Sequence, residues 1–148
     1  KAAEIKAALE IGRRLVASAP EERPRVTTPD DAFHLLKSEM MFQEQEHLRL
    51  ILLDTRNSVL RTPTLYVGSL NTSVVRVGEL FRAAIRENAA ALIVAHNHPS
   101  GLAEPSRADE LLTRTLKEAL GLVDVKVLDH FVVAGQQPPL SFAERGLL

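Results

Sequence analysis

ALIVAHNHPSGLAEPSRAD, residues 91–109, decides how this chain folds and where its chemistry sits. ALIVAHNH is a short, continuous apolar run bounded by Pro99 and Gly101, the pattern of a strand buried on both faces. SRADELLTRTLKEALG follows with helical spacing, and Gly121 is its expected C-terminal stop. Within the strand, residues two apart face the same way, so His96 and His98 point both imidazoles to one side.

Two neutral imidazoles side by side suit a zinc ion at about 2.0–2.1 Å from each nitrogen. Two unrelated polar residues at a strand end are the plainer reading, and Asp109 argues against it. On the helical wheel Asp109 falls between Leu116 and Leu120, near Leu112, at the centre of the apolar stripe. An ionised carboxylate there is costly unless a cation or several donors compensate it. Beside two histidines it makes a third metal ligand. Ser106 and Asp109 also read as a capping-box-like pair, and the two readings agree, because the cap fixes the turn that aims the carboxylate.

Two histidines, one aspartate and a fourth position for water describe an open, catalytic zinc site rather than a closed structural one. Zinc lowers the pKa of bound water to about 7 and polarises carbonyls. Such a site still needs a general base. Glu46 starts a strand in phase with Leu48, Leu50 and Leu52, but Glu44 is in phase too, and QEQEH also reads as a solvated lead-in.

Upstream, TPDDAFHLLKSEM opens a helix with Thr28 as N-cap, Pro29 at the first helical position, and Asp30 and Asp31 in the first turn. His34 lies in this helix and reads as a surface histidine. HLRLILLDTRNSVLRTPTLYVG reads as two strands joined by a turn at residues 54–57, and VGELFRAAIRENA as a helix. Downstream, VDVKVLDHFVV supplies one or two strands and GQQPP a turn. Strands interleaved with helices, with a hairpin among them, predict an α/β fold: a mixed β-sheet flanked by helices.

Residues 1–17 read as an alanine-rich helix with Ile5, Leu9 and Val16 near one face, and SAPEERPRV as a linker. Residues 1–24 are therefore expected to be a terminal helix and linker, the remnant of a preceding region, and residues 25–148 the main domain. The start at Lys1, without methionine, fits a cut-down chain. A chain of 148 residues holds one ordinary domain, and 45% apolar with 25% charged residues are values of a soluble globular protein.

There is no cysteine, which excludes disulfides, thiolate zinc sites and cysteine nucleophiles and suits a cytoplasmic location. Any transition metal must take nitrogen and oxygen ligands. A net charge of −1 leaves the domain without an overall footprint for nucleic acid. No run of about 18 apolar residues predicts a membrane span.

H-x-H, seven residues, then S-x-x-D, with an upstream glutamate opening a strand, resembles the JAMM (MPN+) metalloprotease motif. The wider run QEHLRLILLDTRN, VGSLNTS, ELFRAAI, VAHNHPSG, PSRAD, VLDHFVV and SFAERGLL resembles the RadC family of bacterial proteins over residues 25–148. In that pattern a His-Pro pair often stands where this chain has Arg76 and Val77, which touches none of the motif positions. KAAEIKAALEIGRRL looks like the tail of the helix-hairpin-helix region that precedes this domain in the family.

The resemblance implies a JAB/MPN fold similar to that of cytidine deaminases, and a zinc-dependent hydrolase of peptide or isopeptide bonds with one zinc ion per chain. It implies Glu46 as the base that takes a proton from the attacking water and passes it to the leaving group. His96, His98 and Asp109 become the ligands, and Ser106 a hydrogen-bond donor to the oxyanion of the tetrahedral intermediate. Zinc deamination itself would need a cysteine pattern that is absent here, and H-E-x-x-H is missing too.

Other readings stand beside this one. His-Asn-His invites the name of the HNH nucleases, but their named residues are dispersed through a larger unit, and Asn97 would point away from its neighbours. A DNA-repair accessory role follows from the family's repair label, with nucleic acid engaged through the preceding region. A scaffold without chemistry is the third, and the intact set of five residues argues against it. A homodimer is compatible with the sequence. Of Asp129 and His130 at most one can face the pocket, and that one in a supporting role. Ser69 and Asn71 line the cleft or form a turn, and Glu104 reads as solvated.

Overall fold

The computed structural model describes residues 2–18, 23–69 and 75–148, with the backbone alone for residues 14–18. The elements run α1 (Ala2–Ser18), α2 (Pro29–Met40), β1 (His47–Leu53), β2 (Val59–Arg61), β3 (Thr64–Val67), α3 (Val77–Arg86), β4 (Ala91–Asn97), α4 (Arg107–Gly121), β5 (Lys126–Val133) and β6 (Leu140–Ser141). β4 lies inside the sheet, whose order is β2-β1-β4-β5-β6, with β3 also paired to β1. β1 and β4 are antiparallel, with Leu48 opposite His96, whereas β4 and β5 are parallel. The sheet is mixed and open, as the interleaved pattern predicts.

All seven residues of β4 are buried, because helices cover both faces. On one face α2 packs Phe33, Leu36 and Met40 against Ile51, Ile93 and Phe131. On the other, Leu80 of α3 with Leu116 and Leu120 of α4 pack against Leu50, Leu92 and Val94. Leu48, Leu50 and Leu52 do share that second face. Leu116 is fully buried there. Leu116→Ala is expected to lower unfolding stability by about 2–5 kcal/mol, read as a fall in the urea midpoint.

The helix starts follow their local chemistry. Thr28 caps α2 in a capping box with Asp31, and Pro29 fills the first turn, where its missing N–H costs nothing. Hydrogen bonds from the Thr27 and Thr28 side chains and amides hold the Asp31 carboxyl down at about 2. Ser106 and Asp109 form the same box at the start of α4.

Three local expectations change and one is refined. The second strand after the residue 54–57 turn is divided into β2 and β3 at Thr62–Pro63; Pro63 has no N–H to give the ladder, and its carbonyl accepts from Leu50 N instead. Gly121 does close α4 as its last residue, but the left-handed residue falls later, at Asp124 with φ of 59°. β6 was not expected; it pairs antiparallel with β5. The end of the expected linker is tied to the fold, since Val26 N donates to Asn57 O and Val59 N to Pro24 O.

Among the described residues no helix is long and apolar enough to cross a membrane. In α1, Ile5 and Leu9 are both exposed; the Val16 side chain lies outside the described residues. His34 is exposed on α2.

Candidate metal centre

The buried end of β4 delivers His96, 1% exposed, and the next residue after the strand is His98, partly buried. The capping box at Ser106 turns the chain so that Asp109, 5% exposed, meets them from α4. Ser106 N and Ser106 Oγ both donate to Asp109 Oδ2 at 2.7 Å, and Asp109 N donates back to Ser106 Oγ at 3.2 Å. Ligand atoms of His96, His98 and Asp109 all lie within 4.8 Å of one another, so the group could hold a metal ion.

The donor set fits such an ion. His96 Nε2 and His98 Nε2 are 2.9 Å apart; His96 Nε2 is 3.4 Å from Asp109 Oδ1 and His98 Nε2 3.7 Å from Oδ2. Tetrahedral bonds of about 2.0–2.1 Å put ligand atoms about 3.3 Å apart, in the middle of that range. His98 Nδ1 lies 2.8 Å from Leu102 O, which can only accept, so Nδ1 carries a proton and Nε2 of the neutral ring is bare. Bare nitrogens facing a carboxylate need a cation between them, a proton or a metal ion.

The electrostatics agree. Burial alone would push the Asp109 carboxyl up, but His96 and His98, which donate to it once Nε2 is protonated, outweigh it and hold it far below the usual carboxylate range. The hydrogen bond to Asp109 raises His98 above an ordinary histidine against a smaller effect of burial. The Glu46 carboxylate adds a smaller part to that rise.

Glu46 is half-buried in the turn just before β1, and its carbonyl accepts from Gly68 N at 2.8 Å. Asn97 holds this turn. Its Oδ1 accepts from His47 N at 2.7 Å and its Nδ2 donates to Gln45 O at 2.9 Å, so one buried amide grips the backbone on both sides of Glu46. It faces away from the histidines, as strand alternation predicts. The sequence reading gave it no part; the signal was a buried polar residue at the end of the apolar run. Glu44 is exposed, and with Phe42, Asn97, His98 and Pro99 it lines a cleft of about 400 Å³ beside the histidines.

Of Asp129 and His130, His130 reaches the site: its Nε2 is 2.7 Å from His96 Nδ1. A change of register explains why. Leu92 pairs with Val127 but Ile93 with Asp129, so Leu128 is an extra residue and the alternation of β5 reverses there. Val127 and His130 thereby face the α4 side together. Burial drives the pKa of His130 well below that of free histidine, with His96 pushing the same way, so the ring stays neutral. Asp129 accepts from His130 N, Ser141 Oγ and Ala143 N, and anchors the turn after β6. Glu104 is exposed, 3.6 Å from Arg145. Ser69 is exposed, and Asn71 lies outside the described residues.

A mixed sheet between helices, with two histidines and an aspartate gathered at the carboxyl end of a central strand, defines an α/β domain with a candidate metal centre. Residues 26–147 match the RadC-like JAB domain, and the chain belongs to the RadC family. It is 51% identical over 148 residues to a UPF0758 protein of Dechloromonas aromatica, covering 100% of this chain and 66% of the relative. It is 54% identical over 147 residues to a UPF0758 protein of Chloroflexus aurantiacus, covering 99% and 64%. A UPF0758 protein of Desulfitobacterium hafniense is 47% identical over 148 residues, covering 100% and 65%. The chain thus spans somewhat less than two thirds of the length of each of these relatives.

Proposed function

We propose that this domain is a zinc-dependent hydrolase of the JAMM type that cleaves a peptide or isopeptide bond. The observation that carries the reading is the convergence of His96, His98 and Asp109 within 4.8 Å, with the Glu46 charge acting on His98 from the turn before β1. Zinc held by these three groups would act as a Lewis acid that polarises the scissile carbonyl and acidifies water to a pKa of about 7.

The chain's own groups supply the rest. The Glu46 carboxylate takes the proton of the attacking water and returns it to the leaving nitrogen. Asn97 keeps that carboxylate from swinging away by fixing the backbone around it. Ser106 is the oxyanion donor, which requires its Oγ–H to leave Asp109 Oδ2 for the substrate oxygen. The cleft beside His98 gives an adjoining residue of the substrate polypeptide room to bind. A preceding region that engages nucleic acid would add DNA to the whole protein's partners without changing this chemistry.

The test is metal analysis by mass spectrometry of protein purified without chelator or added metal, followed by screening of peptide and isopeptide libraries with the loaded protein. About one zinc per chain and cleavage of a peptide or isopeptide substrate are expected. A chain that takes up no divalent metal even when zinc is offered rules the proposal out.

A further inference from the structure

We propose that His130 and Thr113 are positioning residues that lock His96 in its ligand tautomer and tie it to Asp109 through one chain of hydrogen bonds. The inference rests on the reading of His96, His98 and Asp109 as metal ligands.

The direction of every bond in the chain follows from its last acceptor. Thr113 Oγ lies 2.7 Å from the backbone carbonyl of Asp109, one helical turn earlier on α4. A carbonyl only accepts, so the single hydroxyl proton of Thr113 is committed to it. His130 Nδ1, 2.5 Å from the same Oγ, must therefore be the donor, which leaves His130 Nε2 bare in the neutral ring. That nitrogen accepts from His96 Nδ1 at 2.7 Å. With its proton on Nδ1, His96 presents a bare Nε2 toward His98 and Asp109.

Three elements are joined by this route: β4 through His96, β5 through His130 and α4 through Thr113. His130 and Thr113 are buried, with exposures of 0% and 1%, so water cannot take the place of either partner. Phe142 stacks on the His130 ring at 4.6 Å and 21°, and holds its plane. The two candidate ligands thus reach the same tautomer by different means. His98 uses one loop carbonyl, while the deeper His96 uses two further side chains.

Outer partners that orient a ligating histidine typically contribute about 10–100-fold to metal affinity. Thr113→Val keeps the shape of the side chain and removes the hydroxyl, Thr113→Ser restores it, and His130→Leu breaks the chain at its middle. Each variant of the full 148-residue chain is read in two ways. Competition for Zn²⁺ against a chromophoric chelator gives affinity, and long-range ¹H–¹⁵N spectra of the metal-free protein give the tautomer of His96.

The expected result is a loss of about 10–100-fold in zinc affinity for Thr113→Val and His130→Leu, with His96 shifting from Nδ1–H to a mixture of tautomers. Thr113→Ser is expected to keep both properties. Unchanged affinity with an unchanged tautomer in the two disruptive variants overturns the inference. Should the parent chain bind no zinc, the metal reading fails, and the His96 tautomer in the metal-free chain still decides the relay. If Thr113→Val fails to fold, His130→Leu supplies the same two readings.

Discussion

Asp109→Asn is expected to strip the domain of its metal while leaving it folded. The asparagine amide has the same outline, and its oxygen still accepts from Ser106 N, so the first turn of α4 keeps its cap. What is lost is the one negative charge in the candidate ligand set, in a place where 5% exposure leaves little water to replace it. Removing one partner of a buried charge pair costs about 3–5 kcal/mol, which corresponds to an affinity loss on the order of 10³. Chelator competition would measure the loss, and circular dichroism the retained fold. Metal held as tightly by the asparagine variant would mean that the ion sits elsewhere. In the parent chain binding should also weaken as pH falls through the raised pKa of His98, because protons then compete for Nε2.

Glu46→Gln separates the chemistry from the binding. Glutamine fills the same space but accepts no proton, and a positioned general base is worth about 10²–10⁴ in rate. Hydrolysis of a substrate found by library screening is expected to fall by that factor while zinc content stays at the parent level. Glu104→Gln is the control, since Glu104 is exposed and lies outside the cleft beside His98. Equal losses from both substitutions would deny Glu46 its role, as would loss of zinc from the Glu46 variant.

Much of this arrangement was legible because it is local. The buried run of β4, the capping boxes at Thr28 and Ser106 and the i, i+2 histidines are each written within a few residues. Asp109 on an apolar stripe was a visible contradiction, and the structure places it against both histidines. What favours Glu46 over Glu44 as the candidate base was not local. It depends on which backbone Asn97 grips, 50 residues away in the chain. Thr113 gave no signal, since a buried threonine on a helix normally bonds back to the preceding turn, and here it does so while also meeting His130. The break at Pro63 could have been read from the missing N–H, whereas β6 is too short for any periodicity to show.

The extra residue at Leu128 is a point where β5 tolerates both a change of side chain and a change of length. Leu128 is only partly buried, and another apolar side chain there would leave the pairing of β4 and β5 as it is. Deleting it would make Val127 and Asp129 neighbours in a regular ladder, still opposite Leu92 and Ile93, so His130 would keep facing α4. The opposite change would not be tolerated: with Leu128 retained but paired as a regular rung, the strand beyond would have its two faces exchanged, and His130 would turn toward α2. A related chain with a gap of one residue between Val127 and Asp129 would therefore keep the same support for His96.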